Sequence, residues 1–549
     1  MTLLELMPPL MFGGLVLFML FGYPVSFSLA AVGLFFGFIS INLGYFELNF
    51  LQAIPGRVFG SILSNELLLA IPFFTFMGAI LEKSGLAEDM LESMGQLFGP
   101  IRGGLGYSVI IVGFILGAIT GTVAAQVIAM ALITLPVMMR YNYDMRYATG
   151  VLAASGTITQ LVPPSLVLVV LADQLGRSVG DMYLGAWGPS LAQIALFALY
   201  TFYLSIARPA AVPPVPRTLT GRPLLIKCLW GIIPAAVLIF LVLGTIMLGL
   251  ATPTEAGAMG TIGAIVLAVL RNARHDRWVR IAFIVGAIAC GIAVALSLCT
   301  VKIGSVSVPI GACSFKSVPF QIVIGVMYAA IVFLCLKAAQ ITELRTLTRQ
   351  AFEATMRITA MVAFILVGAT CFSITFQGVD GGLWVEHLMS SLPGGVWGFL
   401  IVVNLFVFFL AFFLDFFEIA FIIVPMLAPV AQKLLTPVVG ADAALIWFGV
   451  MLCVNVQTSF MHPPFGFALF YLRSVAPKEV KSSDIYWGSI PWVGLQLIMV
   501  VLVIAFPKMV TVFLDKPSGV DPSKVKIDIQ SPQQDEELPP PIIIPPAKN

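Results

Sequence analysis

The chain has 549 residues, of which only 10% are charged while 59% are hydrophobic. A soluble domain carries roughly 25% charged residues and must present its surface to water, so this composition excludes a soluble enzyme, a nucleic-acid-binding protein and a disordered scaffold. The 29 basic and 27 acidic residues nearly cancel, and the net charge gives no sign of an anionic partner. The composition predicts a protein that lies mostly in a lipid bilayer.

Apolar runs of membrane-spanning length follow one another along the chain. A spanning helix needs about 20 apolar residues, and such runs lie near 8–22, 25–43, 105–138, 146–172, 183–207, 228–249, 254–270, 281–300, 320–338, 356–378, 396–414, 443–472 and 490–507. Two more runs, near 52–82 and 415–435, are interrupted by polar residues. None alternates as barrel strands do, so the pattern predicts an all-α polytopic membrane protein with roughly 11–14 spans.

The two interrupted runs place acidic residues among apolar ones. Ser64, Asn65 and Glu66 break the first run, and Asp415 and Glu418 break the second. A carboxylate within lipid is costly unless it is paired or wet. Both segments are therefore predicted to be re-entrant hairpins with polar tips, over 52–82 and 396–435. The alternative is an interfacial loop with solvated acids.

Glycine recurs every four residues in the run that follows the first of these segments. Gly113, Gly117 and Gly121 would leave one face of a single helix over 113–136 almost without side chains, which permits close helix–helix approach. The sequence Thr120-Gly121-Thr122 then either lines a cavity or serves packing alone.

A proline pair occurs twice, at an offset of 300 residues. Residues 150–165 (GVLAASGTITQLVPPS) match 449–465 (GVMLCVNVQTSFMHPPF), and further downstream DMYLG (181–185) matches DIYWG (484–488). A Pro-Pro pair breaks a helix, and within lipid such backbone is tolerated only inside protein or beside a watery cavity. Helices broken at corresponding positions of two halves indicate a transporter's binding site. The alternative is a structural kink without a ligand.

Three basic segments indicate the orientation of the chain. The segments 207–227, 271–280 and 337–357 are rich in Lys and Arg, and two spans separate each from the next. Short basic loops stay cytoplasmic, so all three are predicted to face the cytoplasm. The stretch 281–340 reads as two additional spans around a loop at 301–319. The Pro-rich tail from 511 cannot bury enough apolar surface to fold and is predicted to be disordered.

These segments together resemble the large membrane subunit of tripartite ATP-independent periplasmic (TRAP) transporters. The resemblance covers most of 1–270 and 345–510, and the residues that carry it are LLAIPFFTFMGAILEKSGLA (68–87), GAITGTVAAQVIAMALITLPVM (117–138), GTITQLVPPSLVLVV (156–170), GLATPTEAGAMGTIGAIVLA (249–268), FLDFFEIAFIIVPMLAPV (413–430) and WFGVMLCVNVQTSFMHPPFGFALFYLRSVAP (447–477). The chain differs from the family's usual residues in having Thr120-Gly121-Thr122 for Ser-Gly-Ser and His462 for Thr. The stretch 281–340 has no counterpart.

The resemblance implies an ion-transporter-type fold with inverted repeats, two re-entrant hairpins, two broken helices and elevator-type movement. It implies secondary active import of a small organic acid, such as a dicarboxylate, by symport with Na⁺ as the coupling ion and without a cofactor. The implied partners are a small four-helix membrane subunit, a periplasmic substrate-binding protein and the lipid bilayer of the bacterial inner membrane. No nucleic acid and no enzyme activity are expected.

Carried onto this sequence, the resemblance gives two groups of residues. Na⁺ ligands are expected at Ser64, Asn65, Gly156, Thr157 and Thr159 in one half and at Asp415, Glu418, Asn455, Gln457 and Thr458 in the other. The substrate path is expected along Thr120, Gly121, Thr122, Pro163, Pro164, Ser165, His462, Pro463 and Pro464. No other metal is expected.

The predicted domain organisation follows from these assignments. It comprises N-terminal scaffold helices (1–48), a first inverted repeat (49–206, with hairpin 52–82 and broken helix 146–172), linkers and scaffold helices (207–355, with the insertion 281–340), a second inverted repeat (356–510, with hairpin 396–435 and broken helix 443–472) and the tail (511–549).

Two other functions fit parts of the sequence. A stand-alone Na⁺ or H⁺ antiporter or carboxylate carrier of the same superfold would share the broken-helix repeat but need no binding protein. A membrane enzyme would use the GxSxG pattern at 176–180, but that motif needs a preceding strand and here follows a membrane helix.

Overall fold

The computed structural model describes residues 3–514 except 218, 274–275, 298–299, 304–305, 310–317, 413 and 465. The predicted tail falls outside this part of the chain from residue 515 onward. The helices of the first half are α1 (Leu3–Leu20), α2 (Val25–Asn42), α3 (Leu48–Arg57), α4 (Ala70–Lys83), α5 (Leu86–Phe98), α6 (Gly104–Thr120), α7 (Val123–Arg140), α8 (Met145–Thr157), α9 (Leu166–Gln174), α10 (Val179–Ala207), α11 (Arg222–Ile239), α12 (Thr245–Met247) and α13 (Pro253–Asn272).

The second half adds eleven helices and one strand pair. These are α14 (Arg277–Ser297), β1 (Thr300–Ile303), β2 (Val306–Pro309), α15 (Val318–Gln340), α16 (Thr342–Gly378), α17 (Gly381–Ser390), α18 (Gly395–Leu410), α19 (Phe416–Glu418), α20 (Val424–Val439), α21 (Ala441–Val456), α22 (Phe467–Val475), α23 (Ser482–Ala505) and α24 (Lys508–Thr511). Ten helices within the described residues are long and apolar enough to cross a membrane, or up to twelve if each of two bent pairs is one span. The predicted polytopic all-α class is confirmed.

Helices α6 and α7 form a hairpin rather than the single helix predicted over 113–136. The Gly103 N–H donates to the Val212 carbonyl and the Asp144 N–H to the Ala211 carbonyl, each at 2.9 Å, so α6 begins and α7 ends at the same face. The chain reverses at Gly121, whose φ of +63° is a left-handed conformation that ends α6. Thr120-Gly121-Thr122 is therefore the tip of a re-entrant hairpin, called hairpin 1 below.

The segment 52–82 is not the hairpin that the sequence predicted. Its two arms, 48–63 and 66–83, are bent by 53°, so the second arm runs onward instead of folding back beside the first. The second arm packs against α13 and α16. The polar break is a capped joint, because Asn65 accepts a hydrogen bond from the Leu67 N–H at 2.9 Å.

A second hairpin, hairpin 2, joins α18 to α20 at the predicted position and opens toward the opposite face. Near its open end, Lys433 on α20 contacts Glu386 on the preceding α17 at 2.6 Å. Arg177, in the loop between α9 and α10, donates to the Ala441 carbonyl at 3.1 Å, just beyond the end of α20. This loop and the 208–215 segment lie at opposite ends of the long helix α10.

The two broken helices also run in opposite directions. Helix α8 begins beside the open end of hairpin 1, whereas α21 begins beside the open end of hairpin 2. After the second broken helix the chain returns to the face at which hairpin 1 opens, where Asp484 lies 3.5 Å from Arg146. Each half thus contains a hairpin followed by a broken helix, and the two halves are inverted with respect to each other.

Two of the three basic segments contact helix α5, and the third contacts the end of the preceding helix, α4. Arg217 donates to the Leu97 carbonyl at 2.7 Å, Lys227 pairs with Glu92 at 2.5 Å and Arg271 pairs with Asp89 at 3.1 Å. The third basic segment joins them where Lys83 donates to Gln350 at 2.7 Å. The predicted placement of these segments on one side is confirmed.

The insertion consists of α14 and α15, which pack against each other, with α15 also against α13 and α16. Strands β1 and β2 form an antiparallel pair in which Thr300 lies opposite Pro309 and Ile303 opposite Val306. The predicted loop at 301–319 therefore contains strand pairing between 300–303 and 306–309.

Candidate functional site

The first broken helix is interrupted in a fully buried position. Helix α8 ends at Thr157, a 3₁₀ turn follows, and the Pro163-Pro164 peptide is cis. Ser165 caps the next helix by accepting a hydrogen bond from the Val167 N–H at 3.1 Å, and its hydroxyl donates to the Gln160 carbonyl. The predicted residues at this break thus lie together in the protein interior.

The second broken helix repeats this arrangement but reaches the surface. Helix α21 gives way to a 3₁₀ turn at Gln457, and the Pro463-Pro464 peptide is cis. Pro464 is exposed, whereas His462 is only 2% exposed. The Gly466 N–H donates to the His462 carbonyl at 2.6 Å, which closes the loop before α22.

The two breaks are in direct contact. The Thr157 hydroxyl lies 3.7 Å from the Met461 sulfur, and the Cys453 thiol lies 3.1 Å from the Gln160 carbonyl. Gln496 on α23 donates to the Thr157 hydroxyl at 2.9 Å. The duplicated motif of the sequence therefore forms one composite site in the buried interior, called the central site below.

Hairpin 1 holds the first break through a glutamine that the sequence analysis did not select. Gln126 on α7 donates from its Nε2 to the Gly113 carbonyl at 2.6 Å and to the Ser155 carbonyl at 2.8 Å. Its Oε1 accepts from the Thr159 hydroxyl at 3.1 Å, and Thr159 also contacts the Gly156 carbonyl. The only sequence signal for this role is one amide within an otherwise apolar helix.

The glycine stripe explains why hairpin 1 comes so close to this break. A Cβ built on Gly117 would lie 3.1 Å from the Thr159 Cα, and one on Gly113 would lie 2.8 Å from the Ser155 Cβ. Gly156 plays the reciprocal part, since a Cβ there would lie 2.1 Å from the Val127 side chain. Gly121 has nothing within 4 Å, so the stripe divides into two packing positions and one turn position.

The acids of hairpin 2 lie at its tip, half-buried, where they cap the following helical turn. The Phe416 N–H donates to the Asp415 carboxylate at 2.6 Å, and the Asp415 N–H donates to the Glu418 carboxylate at 3.0 Å. A hydrogen-bonded contact from this hairpin to the second break comes from Asn404, which the sequence analysis missed. Its carbonyl and side-chain oxygens accept from the Asn455 amide at 2.8 and 3.0 Å.

Ser64 and Asn65 do not join the residues with which they were predicted to bind Na⁺. Asn65 donates to Asp173 at 2.8 Å, at the far end of α9. Asp173 is eight helical steps of about 1.5 Å each from Ser165, so this contact lies roughly 12 Å along the helix from the break. Ser64 is exposed and donates to the Phe59 carbonyl at 2.9 Å.

The ATPTEAG segment, residues 251–257, contacts the bend at 64–66. Thr252 and Glu255 form a reciprocal capping box at the start of α13. The Thr254 hydroxyl donates to the Glu66 carbonyl at 2.7 Å. The segment thus attaches the bend at 64–66 to α13.

His462 lies between the second break and hairpin 2. Its ring stacks on Phe412, with centroids 4.1 Å apart and an interplanar angle of 17°, and meets the Phe408 ring edge-on at 4.4 Å. Neither ring nitrogen has a hydrogen-bond partner among the residues that the structure describes. Phe412 is adjacent to the hairpin tip, so the imidazole belongs to the same central site.

Buried polar atoms without a hydrogen-bond partner concentrate around the two breaks. Within the described residues they include Ser155 Oγ, both amide atoms of Gln160 and of Gln457, Asn455 Oδ1 and Gln496 Oε1. A buried polar group left unpaired costs about 1–3 kcal/mol, so these atoms favour a polar ligand or bound water. Hydroxyl, amide and carbonyl oxygens suit a hard cation, and the described residues include no cluster of three His, Cys, Asp or Glu that could hold another metal.

The family model of the tripartite ATP-independent periplasmic transporter, DctM component, matches residues 12–323 and 310–509. The chain belongs to this family. DctM components are transport permeases, so the resemblance drawn from the motifs is confirmed, and so is the expectation that the chain is not an enzyme.

The chain matches curated relatives over most of their length. The chain is 25% identical over 517 residues to the C4-dicarboxylate TRAP transporter large permease protein DctM of Rhodobacter capsulatus, covering 91% of this chain and 96% of the relative. It is 25% identical over 492 residues to the sialic acid TRAP transporter large permease protein SiaM of Vibrio cholerae, covering 89% and 93%. It is 23% identical over 443 residues to the 2,3-diketo-L-gulonate TRAP transporter large permease protein YiaN of Escherichia coli, covering 81% and 85%.

One solved structure, the Alcanivorax borkumensis YdaH transporter of unusual topology, matches with a TM-score of 0.45 at 16% identity, covering 83% of this chain and 87% of that one. The DctM match makes the chain the large permease subunit of a TRAP transporter and a multi-pass membrane protein.

Proposed function

We propose that this permease imports a small organic acid by symport with Na⁺. The observation that carries the proposal is the inverted pair of hairpins and broken helices, whose buried oxygen atoms converge on one central site. Transporters built from inverted repeats place substrate and coupling ions where discontinuous helices meet. The names of the relatives, which carry C4-dicarboxylates, sialic acid and diketogulonate, support an acidic substrate.

We place the coupling ions at the contact of each hairpin with its own break. At the first, the ligands come from Gly156, Thr157 and Thr159, arranged by Gln126. At the second, they come from Asn455, Gln457 and Thr458, with Asp415 and Glu418 at the neighbouring tip supplying negative charge. Ser64 and Asn65 are left out of the ion site, because they lie at the far end of α9.

We infer that the substrate binds between the hairpin tips. It would lie along the side of the two Pro-Pro breaks that points to the face at which hairpin 2 opens. Thr120, Gly121 and Thr122 form one tip, and Pro464 is the exposed residue of the second break. The part of the protein that contains both hairpins and both breaks would move as an elevator against α2, α13 and α16. The joint at 64–66, which is bonded both to α13 and to α9, is a natural hinge between the two parts.

The proposal includes the partners expected of the family. A periplasmic binding protein would deliver the substrate, and a small four-helix membrane subunit would complete the permease in the bacterial inner membrane. Liposomes containing this chain and its small subunit, supplied with the binding protein and labelled substrate, provide the test. Uptake should require an inward Na⁺ gradient, and uptake indifferent to Na⁺ would contradict the coupling. Uptake without the binding protein would instead favour a stand-alone carrier.

A further inference from the structure

The side chains where the second break meets the tip of hairpin 2 are aromatic rather than basic. His462 is held between the rings of Phe408 and Phe412, and Phe460 and Phe467, on either side of the Pro-Pro pair, have ring centroids 6.0 Å apart. Phe412 is half-buried and Phe467 is 45% exposed, so both rings offer apolar surface that the protein does not cover. Such surface favours a ligand with an apolar body.

The charges of the same region argue against a dianionic ligand. The four segments that form the site, 120–122, 157–166, 411–418 and 457–467, contain two acids and no Lys or Arg. Planar or bidentate recognition of carboxylates in proteins usually comes from Arg. With one or two Na⁺ ions as the only positive charges beside Asp415 and Glu418, a second carboxylate on the substrate would have no cationic side chain to face.

One polar group is nevertheless suited to a single carboxylate. Both nitrogens of His462 lack partners although the ring is 2% exposed, and a buried imidazole left in that state is costly. Gly466, four residues later, is the N-cap of α22 and caps it with no side-chain hydrogen bond. The first N–H groups of a helix have no partner within the helix, and together with the helix dipole they favour negative charge.

We propose that the substrate is a monocarboxylate with an aromatic or similarly bulky apolar body. Its carboxylate binds the His462 imidazole and the start of α22, and its body packs on Phe412. This inference rests on the proposed function, because it specifies the acid that the same site carries. It sets this chain apart from the relatives named for C4-dicarboxylates.

The test is binding to the purified full-length chain in lipid nanodiscs, with labelled phenylpyruvate, succinate and the uncharged 2-phenylethanol as probes. In Na⁺ buffer, phenylpyruvate should bind at least tenfold more tightly than either of the others. Removing a buried phenylalanine side chain loses roughly 10- to 100-fold in affinity, so Phe412→Ala should weaken phenylpyruvate binding by that factor. Phe406→Ala is the control, since Phe406 lies on α18 with 42% of its surface exposed and its loss should leave binding unchanged.

His462→Leu, which keeps the apolar volume, should reduce the preference of phenylpyruvate over 2-phenylethanol to about one. Succinate binding as tight as that of phenylpyruvate would overturn the inference and leave organic-acid import intact. Equal binding of 2-phenylethanol and phenylpyruvate to the unmodified chain would also overturn it, because no carboxylate would be recognised. Binding of none of the probes would overturn it as well, and Na⁺-dependent uptake in liposomes would then show separately whether the proposed function survives.

Discussion

Replacing Gln126 by Leu tests whether hairpin 1 arranges the first ion site. The change keeps the side-chain volume but removes three hydrogen bonds, to the Gly113 and Ser155 carbonyls and from the Thr159 hydroxyl. Each buried group left without a partner costs about 1–3 kcal/mol. If about 2 kcal/mol of this loss falls on the Na⁺-bound state, the affinity for Na⁺ decreases roughly 30-fold.

The assay is the Na⁺ concentration that gives half-maximal uptake in liposomes, measured beside the thermal midpoint of the purified protein. We expect Gln126→Leu to raise that concentration at least tenfold, while Gln126→Glu, which keeps the acceptor for Thr159, gives a smaller rise. Gln432→Leu is the control, because Gln432 bonds Thr436 and the Ala441 carbonyl near the open end of hairpin 2. A folded Gln126→Leu protein with an unchanged Na⁺ requirement would refute the reasoning.

Three further predictions follow from the contacts around the site. Gly117→Val should lower the thermal midpoint and abolish uptake, because overpacking a close contact costs about 1–3 kcal/mol. The control Gly13→Val, with nothing within 4 Å of the added Cβ, should do neither. Equal thermal midpoints for the two variants would contradict this reasoning. Asn455→Ala should reduce Na⁺ affinity more than Asn404→Ala does, because it removes both hydrogen bonds between the two residues, whereas Asn404→Ala keeps the backbone carbonyl that accepts one of them; the double variant should be little worse than Asn455→Ala, and fully additive losses would show that the pair does not act together. Thr254→Val should slow uptake without changing the Na⁺ requirement, because it removes the hydrogen bond to the Glu66 carbonyl at the joint and leaves the ion site intact. An unchanged uptake rate would argue against a hinge at 64–66.

The Pro-Pro breaks could be located from the sequence because their signal is local. Proline removes a backbone donor wherever it stands, and the match at an offset of 300 made coincidence improbable. The second hairpin also has a local signal, since Asp415 and Glu418 interrupt a strongly apolar run. Both signals come from the chemistry of the residues themselves and do not depend on which distant segments pack against them.

The first hairpin was misplaced because polarity does not distinguish a bend from a reversal. Ser64, Asn65 and Glu66 look more like a tip than Thr120-Gly121-Thr122 does, yet they form a bend of 53° tied to α13 and α9. The true reversal is marked by one glycine in a run that otherwise reads as a continuous helix. Only the hydrogen bonds at the ends of α6 and α7 show that both meet the 208–215 segment at the same face.

The positioning residues Gln126 and Asn404 were missed for a related reason. Each is a single amide in an apolar helix, and such an amide is as often a packing residue or a satisfied core group. Its role depends on which carbonyl or amide of a distant segment comes within reach. That information lies in the packing of the hairpins against the breaks and not in the helices themselves.

The most direct test of the Na⁺ sites is the thermal stability of the purified chain in Na⁺ and in K⁺ at equal ionic strength. A ligand present at 100 times its dissociation constant stabilises the folded state by about 2.7 kcal/mol. We expect Na⁺ to raise the thermal midpoint relative to K⁺ in the unmodified protein. The rise should be reduced in Thr157→Ala and in Asn455→Ala and absent when both changes are combined. Equal midpoints in the two salts, or a full Na⁺ response in the doubly substituted protein, would contradict ion binding at the paired breaks.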